Sequence, residues 1–333
     1  MKIAVIGAGA IGSVVAAFLK KSGRDIILVG KKEQADAINS GGIKISYPDK
    51  EEVVNVKVMT KLDKEYDLVI FTTKTQDLED AYQHNNEYLD NCLVMTTQNG
   101  VQGDSILGVH IEKEKLLSSI VMFGSTYLGP GEVIFNFDGD WIIGKPYTQL
   151  GPDVHKVADE LKSAFKIVVS NNITGMKWLK LFVNFNNCIP ALVGKSMQET
   201  FSDMSLCRLS VRLLKEGFEI VKKANIDIIS LPNFPIERIS GLAKMPEEQG
   251  AAIINKTLTS LSKVPLYGSI LQSIMRKKTS EIDFINGEVV RLATQIQEKA
   301  DLNDKVVDMV HDVENKGRFY SVEEVKKEFN LIN

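Results

Sequence analysis

The feature that most constrains this 333-residue chain is a set of three glycines, GAGAIG at residues 7–12. An apolar run typical of a buried strand precedes them, and residues 13–21 follow with the apolar spacing of a helix. Glycines at G-x-G-x-x-G spacing between a strand and a helix predict a dinucleotide site, with the pyrophosphate at the helix N-terminus. Gly7 would allow a sharp turn, Gly9 a close approach of backbone to phosphate, and Gly12 the packing of helix on strand.

The first half of the chain alternates between strand-like and helical segments. This alternation favours a doubly wound sheet with a parallel centre and some antiparallel additions. We predict strands at residues 3–6, 25–29, 43–46, 53–60, 67–72, 92–97, 116–123, 132–137, 141–143 and 167–170. We predict helices at 13–21, 35–40, 77–89 and 154–165. The strand at 53–60 is expected to pair with the one at 43–46.

The second half of the chain has a different pattern, because strand-like alternation gives way to long amphipathic segments after residue 174. We predict helices at 177–192, 206–224, 248–262 and 280–300. The predicted fold class is therefore α/β, with an N-terminal Rossmann-type dinucleotide-binding domain followed by an all-helical C-terminal domain. We place the first domain at 1–171 and the second at 172–333.

Composition excludes several classes of function. The net charge of −3 gives no case for nucleic-acid binding. Three cysteines and four histidines are widely scattered, so we predict neither a disulfide framework nor a metal site. No apolar run reaches the ~18 residues of a membrane span, and the apolar N-terminal segment has no clear cleavage site. We expect a soluble, cytoplasmic protein with no membrane partner, and a homodimer formed by the helical half is an open hypothesis.

Polar groups follow three of the predicted strands. Lys31-Lys32 comes after the second strand, Lys74 after the strand at 67–72, and the sequence QNG at 98–100 after the strand at 92–97. Ligands of doubly wound sheets bind outside the carboxyl ends of the strands. Each group alone is equally typical of an ordinary turn. Their presence on one rim of a nucleotide-binding fold favours a functional interpretation.

The end of the second strand also indicates the cofactor. An acidic residue there would bind the ribose 2′-hydroxyl of NAD, whereas a cation accommodates the 2′-phosphate of NADP. Here Lys31 and Lys32 precede the single acid, Glu33. The order favours NADP, and Glu33 leaves NAD open.

Two pairs of polar residues stand out in the helical half. Lys180 and Asn184 are four residues apart, so on a helix they share one face and could act on a substrate carbonyl together. Spacing alone favours an exposed lysine and a helix-terminal amide. Ser269 and Glu281 are separated by an expected break at Lys277-Lys278, which would put Glu281 in the first turn of a new helix. A favourable acid at a helix N-terminus would explain Glu281 without any function.

Taken together, these features resemble the ketopantoate reductase (2-dehydropantoate 2-reductase) family along nearly the whole chain. The most specific are W-x-K-L-x-x-N at 178–184, and Gly-Ser269-x-Leu-Gln leading to Thr-x-Glu281-Ile-Asp-Phe-Ile-Asn-Gly. The glycine pattern at 7–12, the cation after the second strand, Lys74 and the QNG at 98–100 also match.

The resemblance implies an NADPH-dependent reduction of ketopantoate to pantoate, on the route to pantothenate and coenzyme A. It implies an active site in the cleft between the domains, where Lys180 polarises and protonates the keto oxygen and Glu281 hydrogen-bonds beside it. It implies that Asn99, Asn184 and Ser269 bind oxygen atoms of the substrate. It implies that the cofactor is bound by Gly7, Gly9, Ala10, Ile11, Gly12, Lys31, Lys74 and Asn99.

The chain departs from the family in the wall of the substrate site. The family commonly has a second Asn four residues after the equivalent of Asn184, and this chain has Cys188 there. Asn187 lies one residue early and could substitute only if the helix is locally distorted. The departure leaves open a reductase of another branched 2-keto acid. A non-catalytic NADP(H)-binding sensor and a β-hydroxyacid dehydrogenase are further alternatives.

Overall fold

The computed structural model describes residues 1–262 and 264–331. The chain divides into two compact units, Met1–Thr174 and Gly175–Asn333. Within the described ranges, no helix has both the length and the apolar character needed to cross a membrane.

The first unit consists of twelve strands and five α-helices, with one further helix beginning at its end. The strands are β1 (Lys2–Ile6), β2 (Asp25–Val29), β3 (Ile43–Ser46), β4 (Glu51–Val54), β5 (Lys57–Met59), β6 (Leu68–Phe71), β7 (Leu93–Thr96), β8 (Leu116–Val121), β9 (Gly124–Gly129), β10 (Glu132–Phe137), β11 (Asp140–Gly144) and β12 (Lys166–Ser170). The helices are α1 (Ala10–Lys21), α2 (Lys32–Gly41), α3 (Leu78–Asn85), α4 (Gln102–Gly108) and α5 (Pro152–Leu161).

The strands form two sheets. The larger has eight strands in the order β12-β11-β8-β7-β6-β1-β2-β5, and only the β8–β11 pair in it is antiparallel. Its strands are buried on both faces: Ile3 and Val5 pack on one side with α1, and Ala4 and Ile6 on the other. Burial on both faces explains why these strands are continuous apolar runs rather than alternating ones. The smaller sheet has the order β4-β3-β10-β9.

The predicted fold class is confirmed, two local predictions in this unit were wrong, and two elements were not predicted. The segment 53–60 is not one strand, because β4 pairs antiparallel with β3 whereas β5 pairs parallel with β2 in the other sheet. Asn39 of α2 fixes β5 there by bonding both the N–H and the carbonyl of Val58. The predicted helix at 77–89 is shorter, since α3 is flanked by the 3₁₀ turns Thr75–Asp77 and Asn86–Tyr88. Strand β9 and helix α4 were not predicted.

The second unit is helical. Its helices are α6 (Ile173–Asn184), which begins two residues before the unit does, α7 (Cys188–Val193), α8 (Met197–Thr200), α9 (Met204–Lys223), α10 (Glu237–Lys244), α11 (Glu247–Thr259), α12 (Ser269–Met275), α13 (Asn286–Gln295), α14 (Asp301–Lys316) and α15 (Val322–Glu328).

Two of the predicted helices in this unit are interrupted. The helix predicted at 177–192 is broken by the 3₁₀ turn Phe185–Asn187 between α6 and α7. Pro190 follows within the first turn of α7, where its ring and missing N–H are tolerated, whereas in an unbroken helix it would clash with the carbonyl four residues earlier. The helix predicted at 280–300 is the 3₁₀ turn Ile282–Phe284 followed by α13.

Candidate active site

The turn after β1 carries the glycines predicted to hold the cofactor. Gly7 has φ +117°, a conformation that side-chain-bearing residues rarely adopt. A Cβ at Gly12 would lie 1.8 Å from the carbonyl oxygen of Gly7 and 2.4 Å from Oγ1 of Thr72, so only glycine fits. A Cβ at Gly9 would meet no heavy atom within 4 Å. The loop is therefore tight at its two outer glycines and open at the middle one.

The open position lies at the N-terminus of α1. Gly9 precedes the helix and caps it without a side chain, and the first turn contains no acidic residue. The first backbone hydrogen bond into the helix runs from Ser13 N to the carbonyl of Gly9. Ala10, Ile11 and Gly12 come before Ser13 in the chain, so their backbone N–H groups have no acceptor within the helix. Unpaired N–H groups and the positive end of the helix dipole suit a pyrophosphate, and the space at Gly9 would admit it.

The strand order reverses beside this loop. The chain places β2 and β5 on one side of β1 and then continues with β6, β7 and β8 on the other side. Ligands of open α/β sheets bind at such a switch point, outside the carboxyl ends of the strands. Thr73 follows β6 there; its backbone nitrogen is in close contact with Gly7, and its hydroxyl is buried with no partner among the described residues.

Gln98 connects the ends of two neighbouring strands at this rim. Its side-chain Nε2 donates to the carbonyls of Phe71 and Thr73, at 2.9 Å each. From the sequence, Gln98 is distinguished only as part of the QNG turn, and the available signal was a long polar side chain directly after an apolar strand. Next to it, Asn99 accepts a hydrogen bond from Thr75 through its backbone carbonyl, so Asn99 lies beside the turn that Lys74 begins.

Lys31 is the N-cap residue of α2, two residues after the end of β2, and its side chain is exposed. Its backbone N–H donates to Oε1 of Gln34, while Nε2 of Gln34 donates to the carbonyl of Ala8 at 2.8 Å. Gln34 thereby joins the lysine turn to the glycine loop. Lys32 is already engaged in an exposed ion pair with Asp36. Of the two lysines, Lys31 is the one whose backbone is connected to the glycine loop through Gln34.

In the second unit, Lys180 and Asn184 lie on α6 four residues apart and are both half-buried. Leu181 and Phe182 between them are fully buried and pack on the other side of the helix. Burial lowers the pKa of Lys180 to about 8. A lysine with such a pKa carries a proton near neutral pH and releases it more readily than an exposed lysine.

The 3₁₀ turn after α6 changes which residue follows Asn184 on this face. Residues three apart are eclipsed in a 3₁₀ turn, so Asn187 rather than Cys188 continues the face. Oδ1 of Asn187 approaches Gly268 so closely that a Cβ at that glycine would lie 2.6 Å from it. Cys188 is fully buried, its thiol donates to the carbonyl of Phe185, and burial raises its pKa to about 12. The local distortion that Asn187 requires is therefore present.

Ser269 is exposed and is the first residue of α12, directly after the glycine that Asn187 contacts. The 3₁₀ turn after α6 and the start of α12 are therefore adjacent. The break predicted at Lys277-Lys278 is present, with Lys277 at φ +55°. Glu281 is half-buried, but it precedes a 3₁₀ turn and does not lie in the first turn of a new helix as predicted, because α13 begins only at Asn286.

Both units of the chain match known protein-family models. The model described as "Ketopantoate reductase PanE/ApbA" matches residues 3–147, and the one described as "Ketopantoate reductase PanE/ApbA C terminal" matches residues 172–314. Together the two matches cover most of both units. The chain belongs to the ketopantoate reductase family. It is an oxidoreductase of the 2-dehydropantoate 2-reductase type.

Several curated relatives of this ketopantoate reductase family member carry the name 2-dehydropantoate 2-reductase. The protein of Pyrococcus horikoshii is 29% identical over 311 residues, which cover 91% of this chain and 94% of the relative. That of Archaeoglobus fulgidus is 24% identical over 317 residues, with 94% and 98% covered.

Solved structures share the fold at lower sequence identity. A ketopantoate reductase of Ralstonia eutropha has a TM-score of 0.81 at 22% identity and covers 95% of this chain and 99% of its own. A ternary structure of D-mandelate dehydrogenase with NADH and anilino(oxo)acetate has a TM-score of 0.82 at 21% identity, with the same coverage.

Proposed function

We propose that this chain catalyses the NADPH-dependent reduction of 2-dehydropantoate to pantoate, a step of pantothenate and coenzyme A biosynthesis. The observation that carries the proposal is that the half-buried Lys180 shares one helix face with Asn184. Burial lowers the pKa of Lys180 to about 8. The names of the curated relatives support the same substrate.

The proposal divides the site residues between the domains that we assign to 1–171 and 172–333. The first binds the cofactor through Gly7, Gly9, Ala10, Ile11, Gly12, Lys31, Lys74 and Asn99. The second, together with Asn99, binds the keto acid through Asn184 and Ser269 and acts on it with Lys180 and Glu281. Asn187 joins this set, since it follows Asn184 on the same face and contacts the residue before Ser269.

NADPH, when bound, supplies the hydride that adds to the carbonyl carbon of the keto acid. As the carbon is reduced, negative charge develops on the keto oxygen, and the ammonium group of Lys180 stabilises it. Lys180 then transfers a proton from Nζ to that oxygen, which completes the hydroxyl group. The side-chain amide of Asn184 orients the substrate by donating to another of its oxygens. Glu281 hydrogen-bonds near the lysine and the new hydroxyl.

The direct test follows NADPH consumption by the purified protein with ketopantoate, pyruvate or 2-ketoisovalerate, and repeats each assay with NADH. We expect the highest kcat/KM with ketopantoate and NADPH. Tight NADPH binding without turnover of any keto acid would contradict the proposal and favour a cofactor-binding sensor. A higher kcat/KM with another keto acid would show that the substrate is not ketopantoate, and the proposed reduction chemistry would be unaffected.

Substitution of Lys31 tests the cofactor preference. In Lys31→Glu we expect the KM for NADPH to rise roughly ten- to hundredfold, because a hydrogen-bonded charge pair contributes about 1.5–3 kcal/mol. The KM for NADH should change little or fall, since an acid at this position suits the ribose 2′-hydroxyl. Lys20→Ala, at the far end of α1, is the matched control for loss of an exposed lysine. Equal shifts in both KM values would exclude recognition of the 2′-phosphate by Lys31.

A second candidate is the reduction of a different branched 2-keto acid, which the altered substrate wall favours. Cys188 occupies the position where the family commonly has an Asn, and its side chain is buried in the core. The D-mandelate dehydrogenase with the similar fold was solved with NADH and anilino(oxo)acetate, and mandelate is a different 2-hydroxy acid from pantoate. The substrate panel described above separates the two candidates.

A further inference from the structure

Helix α14 contacts the segment that carries Glu281 at residues before and after Glu281. Oε1 of Glu314, on α14, accepts the backbone N–H of Ser280 at 2.8 Å. Nε2 of His311, one turn earlier on the same helix, lies 2.9 Å from Oδ1 of Asp283. Glu281 stands between these two attachment points, residues 280 and 283.

The two attachments are themselves joined. Nδ1 of His311 lies 3.1 Å from Oε2 of Glu314, so each nitrogen of the ring faces a carboxylate oxygen. A neutral imidazole donates from only one nitrogen, and only the protonated ring donates from both. Burial opposes protonation, but the hydrogen bonds and charges of Asp283 and Glu314 outweigh it and raise the pKa of His311. The geometry therefore fits an imidazolium between two carboxylates.

The attached segment has little regular structure to hold it. The chain leaves α12 through Lys277 at φ +55°, and residues 282–284 form only a single 3₁₀ turn. Ser280 is buried, and its hydroxyl accepts the N–H of Ile282 at 3.3 Å. Short 3₁₀ turns have poorer hydrogen-bond geometry than α-helices, so contacts from α14 contribute more to the position of this segment.

We propose that His311 and Glu314 are positioning residues that hold the 280–283 segment so that Glu281 keeps its place in the active site. The proposal rests on the role of Glu281 in the proposed function. Neither residue contacts the substrate in this scheme, because both act through the backbone and side chain of the segment. A small displacement of a catalytic group can lower the rate by about a hundredfold.

A double-mutant cycle between His311→Gln and Glu281→Gln tests the coupling. Each single variant is expected to lower kcat for ketopantoate about tenfold or more near neutral pH, with the affinity for NADPH unchanged. In the double variant, His311→Gln should cause no further loss, because the group that it positions is already inactive. His155→Gln, which changes an exposed histidine in the first unit, and Asp308→Asn, on the exposed side of α14, are the matched controls.

Hydrogen exchange provides a readout that does not depend on activity. The amide of Ser280 donates to Glu314, so its exchange should be at least about tenfold faster in Glu314→Ala, which removes the acceptor, and in His311→Gln, and unchanged in Asp308→Ala, an equal truncation on the exposed side of α14. Unchanged protection in both variants would overturn the proposal.

The kinetic outcomes distinguish this proposal from the proposed function. Losses of kcat that multiply in the double variant would also overturn the proposal, since they would show that His311 acts independently of Glu281. If Glu281→Gln keeps full kcat, the role of Glu281 in the proposed function fails, and the positioning role fails with it. If Glu281→Gln is impaired but His311→Gln is not, only the positioning role fails.

Discussion

Lys180→Ala is expected to lower kcat for ketopantoate reduction by about 10²–10⁴-fold, the usual contribution of a positioned acid. The loss arises because the developing charge on the keto oxygen then has neither a cation nor a proton donor beside it. The affinity for NADPH should be little changed, since the residues assigned to the cofactor lie in the first unit. Initial rates and a separate NADPH titration would measure the two effects.

The pH dependence of the wild-type rate follows from the same residue. Lys180 must be protonated to act as the acid, and burial lowers its pKa to about 8. The rate of reduction should therefore be high below that pH and fall as the pH rises through about 8, whereas the reverse oxidation should become faster. An exposed lysine would keep the rate constant to a much higher pH. In Lys180→Ala the decline attributable to this group should be absent.

Lys222→Ala is the matched control for this experiment, because Lys222 is an exposed lysine near the end of α9. It should retain wild-type kcat and the wild-type pH profile. Turnover that survives Lys180→Ala would show that another group is the acid and would remove the observation on which the proposed function depends.

The sequence predicted best where local chemistry leaves few choices. The glycine loop is an example, because the φ of +117° at Gly7 and the contact of Gly12 with the carbonyl of Gly7 follow from glycines at that spacing between a strand and a helix. The continuous apolar strands are another, since burial on both faces of a sheet requires them. The Rossmann-type class of the first domain follows from these two features.

The sequence is a poor predictor of features that depend on tertiary contacts. Periodicity does not show that Phe185–Asn187 becomes a 3₁₀ turn, although that turn brings Asn187 onto the face of Asn184. The lowered pKa of Lys180 depends on burial by the folded chain, and spacing alone favoured an exposed lysine. The attachment of residues 280 and 283 to α14 joins positions about thirty residues apart, which no local pattern reports.

Gly9→Ala and Gly12→Ala are expected to separate cofactor binding from folding. At Gly12 a methyl group would lie 1.8 Å from a backbone oxygen, so α1 must move away from β1, and the free energy of unfolding should fall by about 1–3 kcal/mol or more. At Gly9 nothing within 4 Å opposes a methyl group, so thermal stability without cofactor should be unchanged. The methyl group would instead occupy the space through which the pyrophosphate approaches the helix N-terminus, and NADPH affinity should fall about tenfold or more.

The control for both is Gly241→Ala, a helical glycine of the second unit that also has no heavy atom within 4 Å of an added Cβ. It should bind NADPH as the wild type does and gain about 0.5–1 kcal/mol of stability, because alanine favours a helix. Thermal unfolding without cofactor and a titration with NADPH measure both properties for all three variants. Normal NADPH binding by Gly9→Ala would mean that the phosphates bind elsewhere, and unchanged stability of Gly12→Ala would contradict the packing of α1 on β1. The pair therefore tests separately the two roles that glycine has in this loop: space for a ligand and space for the helix itself.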